Sequence, residues 1–235
     1  MTVQECQQAQ YEKMTTTPVH KLVGALAVPT ILSMLVNNFY NMVDTAFVGK
    51  LGTSPSAAVG IVFGYMSILQ AIGFMCGQGT GSILSRKLGN KDVDGASRYC
   101  STGFFLSLFL GLVIGILSFI FLTPLVYLLG STDTIAVYAK QYISYIIVAA
   151  PFMTSSLTMN NILRYEGKAK LGMIGLMTGA VLNILGDAVF MFGFHMGVQG
   201  AGLATMLTQI FSFCILLFMF LSGKTQTRIS VKNIY

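Results

Sequence analysis

The chain has 235 residues, 54% of them hydrophobic and only 9% charged, with a net charge of +6 and a mean hydropathy of +0.72. Globular domains carry roughly 25% charged residues, so this composition excludes an ordinary soluble domain. The basic balance does not point to nucleic acid, because the bases lie at the ends of long apolar runs, as they do in polytopic membrane proteins.

Residues 1–20 (MTVQECQQAQYEKMTTTPVH) are polar and are expected to form a cytoplasmic N-terminal segment with no cleavable signal, since the first apolar run is far longer than a signal core. Crossing a hydrocarbon core of about 30 Å takes roughly 20 residues of helix. Six stretches reach that length, near 22–48, 56–84, 101–122, 134–163, 171–193 and 199–221. With the N-terminus inside, twelve of the fourteen Lys and Arg fall on the cytoplasmic side and only Lys50 and Lys140 outside. That bias sets an even number of spans with both termini cytoplasmic. The expected fold is an all-α integral membrane protein of the cell (plasma) membrane: one bundle of six transmembrane helices over residues 21–223, then a polar tail or linker over 224–235.

In the first span, Thr15–Thr17 and Pro18 suggest a capped entry, and Pro29 removes a backbone donor and predicts a kink. Asn37, Asn41 and Asp44 follow at i, i+4 and i+7 on one helix face, with Asn38 beside them. Pro55 is expected to open the second span, whose glycines at 60, 64, 73, 77, 79 and 81 suit close helix packing. Leu88–Arg98 reads as a polar cytoplasmic loop, and Arg164–Lys170 as a second cytoplasmic turn. The Arg-x-x-Gly shared by these two junctions is explained by helix ending and topology. The fourth span carries Tyr142, Pro151, Ser155, Ser156, Asn160 and Asn161; the fifth carries Asn183 and Asp187 at i and i+4; the sixth carries Thr205 and Gln209 at the same spacing. Lipid satisfies none of these groups, so four polar stripes are expected to face one another around a shared pocket.

Asp44 and Asp187 say most, because each lies in an apolar run with no nearby base. An ionised Asp at a helix centre costs on the order of 3 kcal/mol, so such residues usually bind a cation, shuttle a proton or face a wet cavity. Plainer alternatives stay open: Asp44 lies near the outer end of its span and can touch external water, and Asp187 can make a lone interhelical hydrogen bond. Carboxylate and amide oxygens suit a proton or a small hard cation such as sodium. Cys6, Cys76, Cys100 and Cys214 lack metal or redox spacing. An intramembrane aspartyl protease is disfavoured, because Ile184 breaks the G-x-G-D pattern, Val43 precedes Asp44 where a Tyr is expected, and no P-A-L occurs. No phosphate-cradling G-x-x-x-x-G-K-[ST] loop occurs either, so neither an enzyme nor a nucleotide-driven pump is expected.

Together Pro29, Val43–Gly52 (VDTAFVGKLG), Leu163–Gly167 (LRYEG) and Leu182–Asp187 (LNILGD), in this order and spacing, resemble the multidrug and toxic compound extrusion (MATE) transporters. The likeness runs from about Pro18 to Gly223 and is to the family's N-terminal six-helix lobe, half of a twelve-helix transporter. It implies antiport of amphipathic, often cationic drugs or toxic organic cations against H⁺ or Na⁺, with no other cofactor. It implies cation or proton coupling at Asp44, Asn183, Asp187 and Thr205, the same four residues being the candidate Na⁺ ligands, with Tyr142 and Asn160 in the same cavity and bending at Pro29. Asn37, Asn41 and Gln209 are further cavity-lining candidates. A second lobe or a homodimer partner is implied by length. Ala188 departs from the proline many relatives carry there. The rival readings are a flippase for lipid-linked oligosaccharides, which would want an intramembrane basic cluster, and a non-transporting scaffold whose polar stripes are each satisfied within the bundle.

Overall fold

The computed structural model describes Glu12, residues 16–223 and residues 225–230, without the Asn37 side chain. Most of the N-terminal segment, including Thr15 and Cys6, lies outside the described residues, as do Lys224 and residues 231–235 of the expected tail. The described chain forms α1 (Val19–Gly49), α2 (Thr53–Gly89), α3 (Val93–Ile120), the short α4 (Leu122–Leu128), α5 (Asp133–Tyr165), α6 (Ala169–Asp187), a π-helical turn (Ala188–Gly193) and α7 (Val198–Leu221). Helices α1, α2, α3, α5, α6 with its π turn, and α7 are each long and apolar enough to cross a membrane. The protein is therefore multi-pass, and no strand occurs among the described residues.

Several boundaries differ from the sequence expectation for local chemical reasons. The expected loop Leu88–Arg98 shrinks to residues 90–92, because the Asp92 carboxylate accepts the Gly95 N–H at 2.8 Å and starts α3 there. Lys87 pairs with the same carboxylate at 2.9 Å and holds it below the usual range. Pro18 precedes α1 without any side-chain cap, and α2 opens at Thr53, leaving Pro55 in the first turn, where a missing N–H costs nothing. After Asp187 the chain stays helical but widens, with Phe194 N–H reaching Val189 C=O five residues back. The wide turn lays Phe190 and Met191 against Gly200 of α7, where a Cβ would meet the Phe190 backbone at 2.8 Å.

Helix α5 is the central strut. Its most apolar window is 78% buried inside the protein, against 11–39% for the other spans. Interior placement explains why it tolerates Thr154, Ser155, Ser156, Thr158, Asn160 and Asn161, all buried. Hydroxyls one turn after each proline bond back to its carbonyl, which satisfies them inside the helix: Ser155 donates to Pro151 C=O at 2.6 Å, and Ser33 donates to Pro29 C=O at 2.7 Å. One apolar cluster, including Val62, Leu69, Ile143 and Ile146, fills the external half; a second, including Leu84, Phe104, Ile162 and Phe220, fills the cytoplasmic half.

Gly73, Gly77 and Gly81 of α2 lie at i, i+4 and i+8 and receive Leu157, Asn161 and Tyr165 of α5, themselves at i, i+4 and i+8. A Cβ at Gly77 would stand 2.8 Å from Asn161 Cβ, whereas Gly79, on the other face, has nothing within 4 Å. Gly77→Ala is expected to cost about 1–3 kcal/mol, at about 2–4 °C of melting temperature per kcal/mol. Gly79→Ala is expected to be neutral or stabilising. Thermal unfolding of both variants in detergent checks this pair.

Beyond α7 the chain folds back. Glu166, 1% exposed, accepts the Gln226 N–H at 3.0 Å, the Thr227 N–H at 3.1 Å and the Thr227 hydroxyl. Burial pushes the Glu166 carboxyl up, against the opposing pull of those donors. Arg228 N–H then donates to Ser97 Oγ at 3.3 Å and Ser230 N–H to Ser101 Oγ at 3.1 Å, tying the strap to α3. Hydrogen bonds to a charged acceptor contribute about 1.5–3 kcal/mol each, so Glu166→Ala is expected to speed amide exchange at Gln226 and Thr227 by about tenfold or more. Hydrogen exchange of the purified chain measures this, and unchanged rates would show that Glu166 does not hold the strap.

Candidate functional site

Asp44 lies five residues before the external end of α1, and Asp187 is the last residue of α6 before the π turn. They are 2% and 0% exposed. The Tyr142 hydroxyl of α5 donates to Asp44 Oδ2 at 3.3 Å and lies beside Thr205 of α7. Asn183 Nδ2 of α6 donates to Thr205 Oγ1 at 3.3 Å. Two hydrogen-bonded pairs, Asp44–Tyr142 and Thr205–Asn183, thus lie side by side as a polar thread that brings four helices together. The charge on Asp44 also acts on Asp187, and both carboxyls act on the Tyr40 and Tyr142 hydroxyls.

The donors run out before the acceptors do. Asp44 Oδ1, Asn183 Oδ1 and both Asp187 carboxyl oxygens are buried without a hydrogen-bond partner. The ion pair found among the described residues is the surface pair Lys87–Asp92, so no base neutralises either membrane aspartate. Four buried oxygens without a protein donor favour whatever brings positive charge: a proton on a carboxyl, or a small hard cation held by carboxylate and amide oxygens.

Toward the cytoplasm the thread opens into a cavity of about 230 Å³. Its wall includes Ser33, Met34, Asn38, Tyr40, Gln70, Phe74, Met153, Ser156, Asn160, Arg164, Leu176 and Gln209. A smaller pocket of about 20 Å³, room for about one water-sized particle, is lined by Asn183, Thr205 and Thr208. Tyr40, Leu176 and Gln209 border both, so they form the partition between the aspartate site and the cavity.

Of the residues singled out from the sequence, Asp44 is paired with Tyr142 and Asn183 with Thr205, with Asp187 in electrostatic reach of Asp44. Asn160 is set apart: it lines the cavity and packs beside Gly172 of α6, about 27 Å along α5 from Tyr142 by helix rise. Gln209 sits on the partition, and Asn41 is half-buried and borders neither cavity. Pro29 is buried one turn below Ser33. The Asn37 side chain lies outside the described residues. Sequence reasoning missed Tyr40, although it stands one turn before Asp44, and it gave Arg164 no place in the site.

Both Asp187 carboxyl oxygens are buried without a donor, so Asp187→Asn is expected to leave the melting temperature at pH 8 unchanged or raise it. A fall of several degrees in thermal unfolding would mean that the carboxylate is held by partners.

Comparison with known proteins adds an independent line. The MatE family profile matches residues 29–189. The multidrug export protein MepA of Staphylococcus aureus (strain MRSA252) is 24% identical over 217 residues, covering 92% of this chain and 48% of MepA. A multidrug resistance MATE family transporter of the MOP superfamily, solved in an outward-facing conformation, superposes with a TM-score of 0.85 at 30% identity, over 92% of this chain and 48% of that one. A MATE solved in a bent conformation gives a TM-score of 0.88 at 27% identity, over 98% and 50%. The chain spans about half the length of the curated relatives it matches.

Proposed function

We propose, because this chain belongs to the MatE family, that it is the ion-coupling lobe of a secondary active multidrug exporter. The lobe exchanges a proton or sodium ion, taken up at Asp44, Asn183, Asp187 and Thr205, for an amphipathic, often cationic drug or toxic organic cation. The observation that carries this reading is the set of four unpaired buried oxygens on Asp44, Asn183 and Asp187. A non-transporting scaffold would satisfy its polar stripes internally, and here they converge and stay short of donors.

Entry of a cation removes the cost of two unpaired carboxylates in a low dielectric. Its binding free energy can then favour one arrangement of α1, α5, α6 and α7 over another. Moving one charge through 100 mV supplies about 2.3 kcal/mol, enough to bias two conformations. Pro29 lies on the α1 turns that lead to Asp44, so charge on the aspartate and bending at the proline act on one helix. The cavity on the other side of Tyr40 and Gln209 is the proposed drug-binding volume, with a second six-helix lobe, from a further segment or another copy, completing it. A lipid-linked pyrophosphate would want a basic cluster, and the described cavity wall carries one base, Arg164.

The test is efflux of a fluorescent cationic dye from energised cells producing this chain, with and without a proton or sodium gradient. Ion-dependent efflux reduced about tenfold or more by Asp44→Asn and by Asp187→Asn separately is the expected result, in line with loss of a group whose charge change drives the cycle. Ion-dependent efflux insensitive to both substitutions would overturn the proposal for this lobe; no efflux from cells shown to carry the folded chain would mean that copies of it do not complete the cavity, and the same comparison is then made with a second six-helix lobe supplied.

A further inference from the structure

The cavity has a feature that cation export does not use. Arg164, the last base of α5, lines its cytoplasmic end half-buried, and no described residue gives its guanidinium a hydrogen bond or an ion pair. One turn above, Asn160 is 2% exposed and its Nδ2 donor has no partner; a further turn up, Ser156 is 2% exposed and its hydroxyl has none either. Arg164, Asn160 and Ser156 stand at i, i−4 and i−8 and line the same cavity, so unspent donors occupy one stripe of its wall. Beside them the wall is apolar, with Phe74, Met153 and Leu176.

The aspartates sit far from this stripe, about 33 Å along α5 from Tyr142 to Arg164 by helix rise, so they do not neutralise it. Among the described residues of the wall there is no carboxylate. A guanidinium offers five donors in a planar fork that matches a carboxylate or phosphate, and an amide N–H₂ one turn above suits a second oxygen of the same group. Topology accounts for a base at this depth, but it does not account for two buried neighbouring side chains whose donors, Asn160 Nδ2 and Ser156 Oγ, also lack partners.

We infer that the cytoplasmic end of this cavity binds the acidic headgroup of an amphiphile, its carboxylate or phosphate held by Arg164 and Asn160 and its apolar body lying along Phe74, Met153 and Leu176. The inference rests on the cavity being the ligand-binding volume of the proposed exporter and names the acid-bearing class of compound that volume accepts. The acid belongs either to a soluble amphiphile or to a membrane lipid.

The test reads binding, not transport, so it fails separately from the exporter proposal. The purified full chain in neutral detergent is titrated with dansylaminoundecanoic acid and with the matched primary amide, following dansyl fluorescence. The acid is expected to bind about tenfold or more tightly than the amide. Arg164→Gln is expected to erase that preference, bringing acid binding down to the level of the amide, and Arg164→Lys to keep part of it. An unchanged melting temperature in Arg164→Gln shows that the fold is intact; if that variant does not fold, Asn160→Ala, expected to weaken the acid alone by a smaller factor, takes its place. Equal binding of acid and amide to the unmodified chain, or an acid preference that survives Arg164→Gln, would overturn the inference. Displacement of the bound acid by phosphatidylglycerol in mixed micelles assigns the headgroup to a lipid, and its retention assigns it to a soluble amphiphile.

Discussion

A carboxylate inside a membrane must find positive charge, and neither Asp44 nor Asp187 finds it among the described residues of this chain. The rest of the bundle is arranged around that deficit. Tyr142 supplies one donor to one oxygen, Thr205 turns the Asn183 amide aside, and the remaining acceptors are left open. A protein that only needed stability would gain by replacing these groups with apolar residues of the same volume, since buried charge seldom repays its desolvation. Keeping them makes sense where the deficit is filled and emptied in turn.

Such a deficit is tolerable only on a rigid frame. Helix α5 provides it by lying inside the bundle, where Thr154 can donate to Ser107 C=O at 3.0 Å and Thr158 to Gly73 C=O at 3.2 Å rather than face lipid. The α2 glycines bring that helix close enough for those bonds to form, so close packing and polar satisfaction depend on one another. Helix α1 is different: its apolar window is only 11% buried, although it carries Asp44. The least buried of the six spans therefore holds one of the two membrane aspartates, and a change of charge there meets less resistance from packing than it would on α5.

The six spans were legible because twenty-residue apolar runs and the bias of Lys and Arg are set by the bilayer itself. Asp44, Asn183, Asp187 and Thr205 were legible because a helical period of 3.6 puts polar residues on one face and lipid excludes that face. Less legible were features decided between helices. The Asp92 cap absorbed residues that looked like a loop, α4 formed where only a short connection was expected, and the polar residues after Gly223 docked on Glu166 instead of trailing away. Asn160 and Tyr142 share a helix and were grouped together, yet helix rise separates them by about 27 Å, an argument available from the numbering alone. Arg164 shows the limit of a topological reading: the rule that places a base on the cytoplasmic side is silent on whether that base finds a partner.

The two ends of the lobe consequently differ in kind. Near the external side are acceptors without donors, on Asp44, Asn183 and Asp187; near the cytoplasmic side are donors without acceptors, on Arg164 and Asn160, with Tyr40 and Gln209 between. Direct pairing of the two sets is prevented by distance, since about 33 Å of α5 lies between Tyr142 and Arg164. A fixed ion pair would lock the helices in one arrangement and leave nothing for a cation or a ligand to alter. Held apart, each set retains free energy that only a bound species can release, and the helices common to both, α1, α5, α6 and α7, give the occupancy of one end a physical route to the shape of the other.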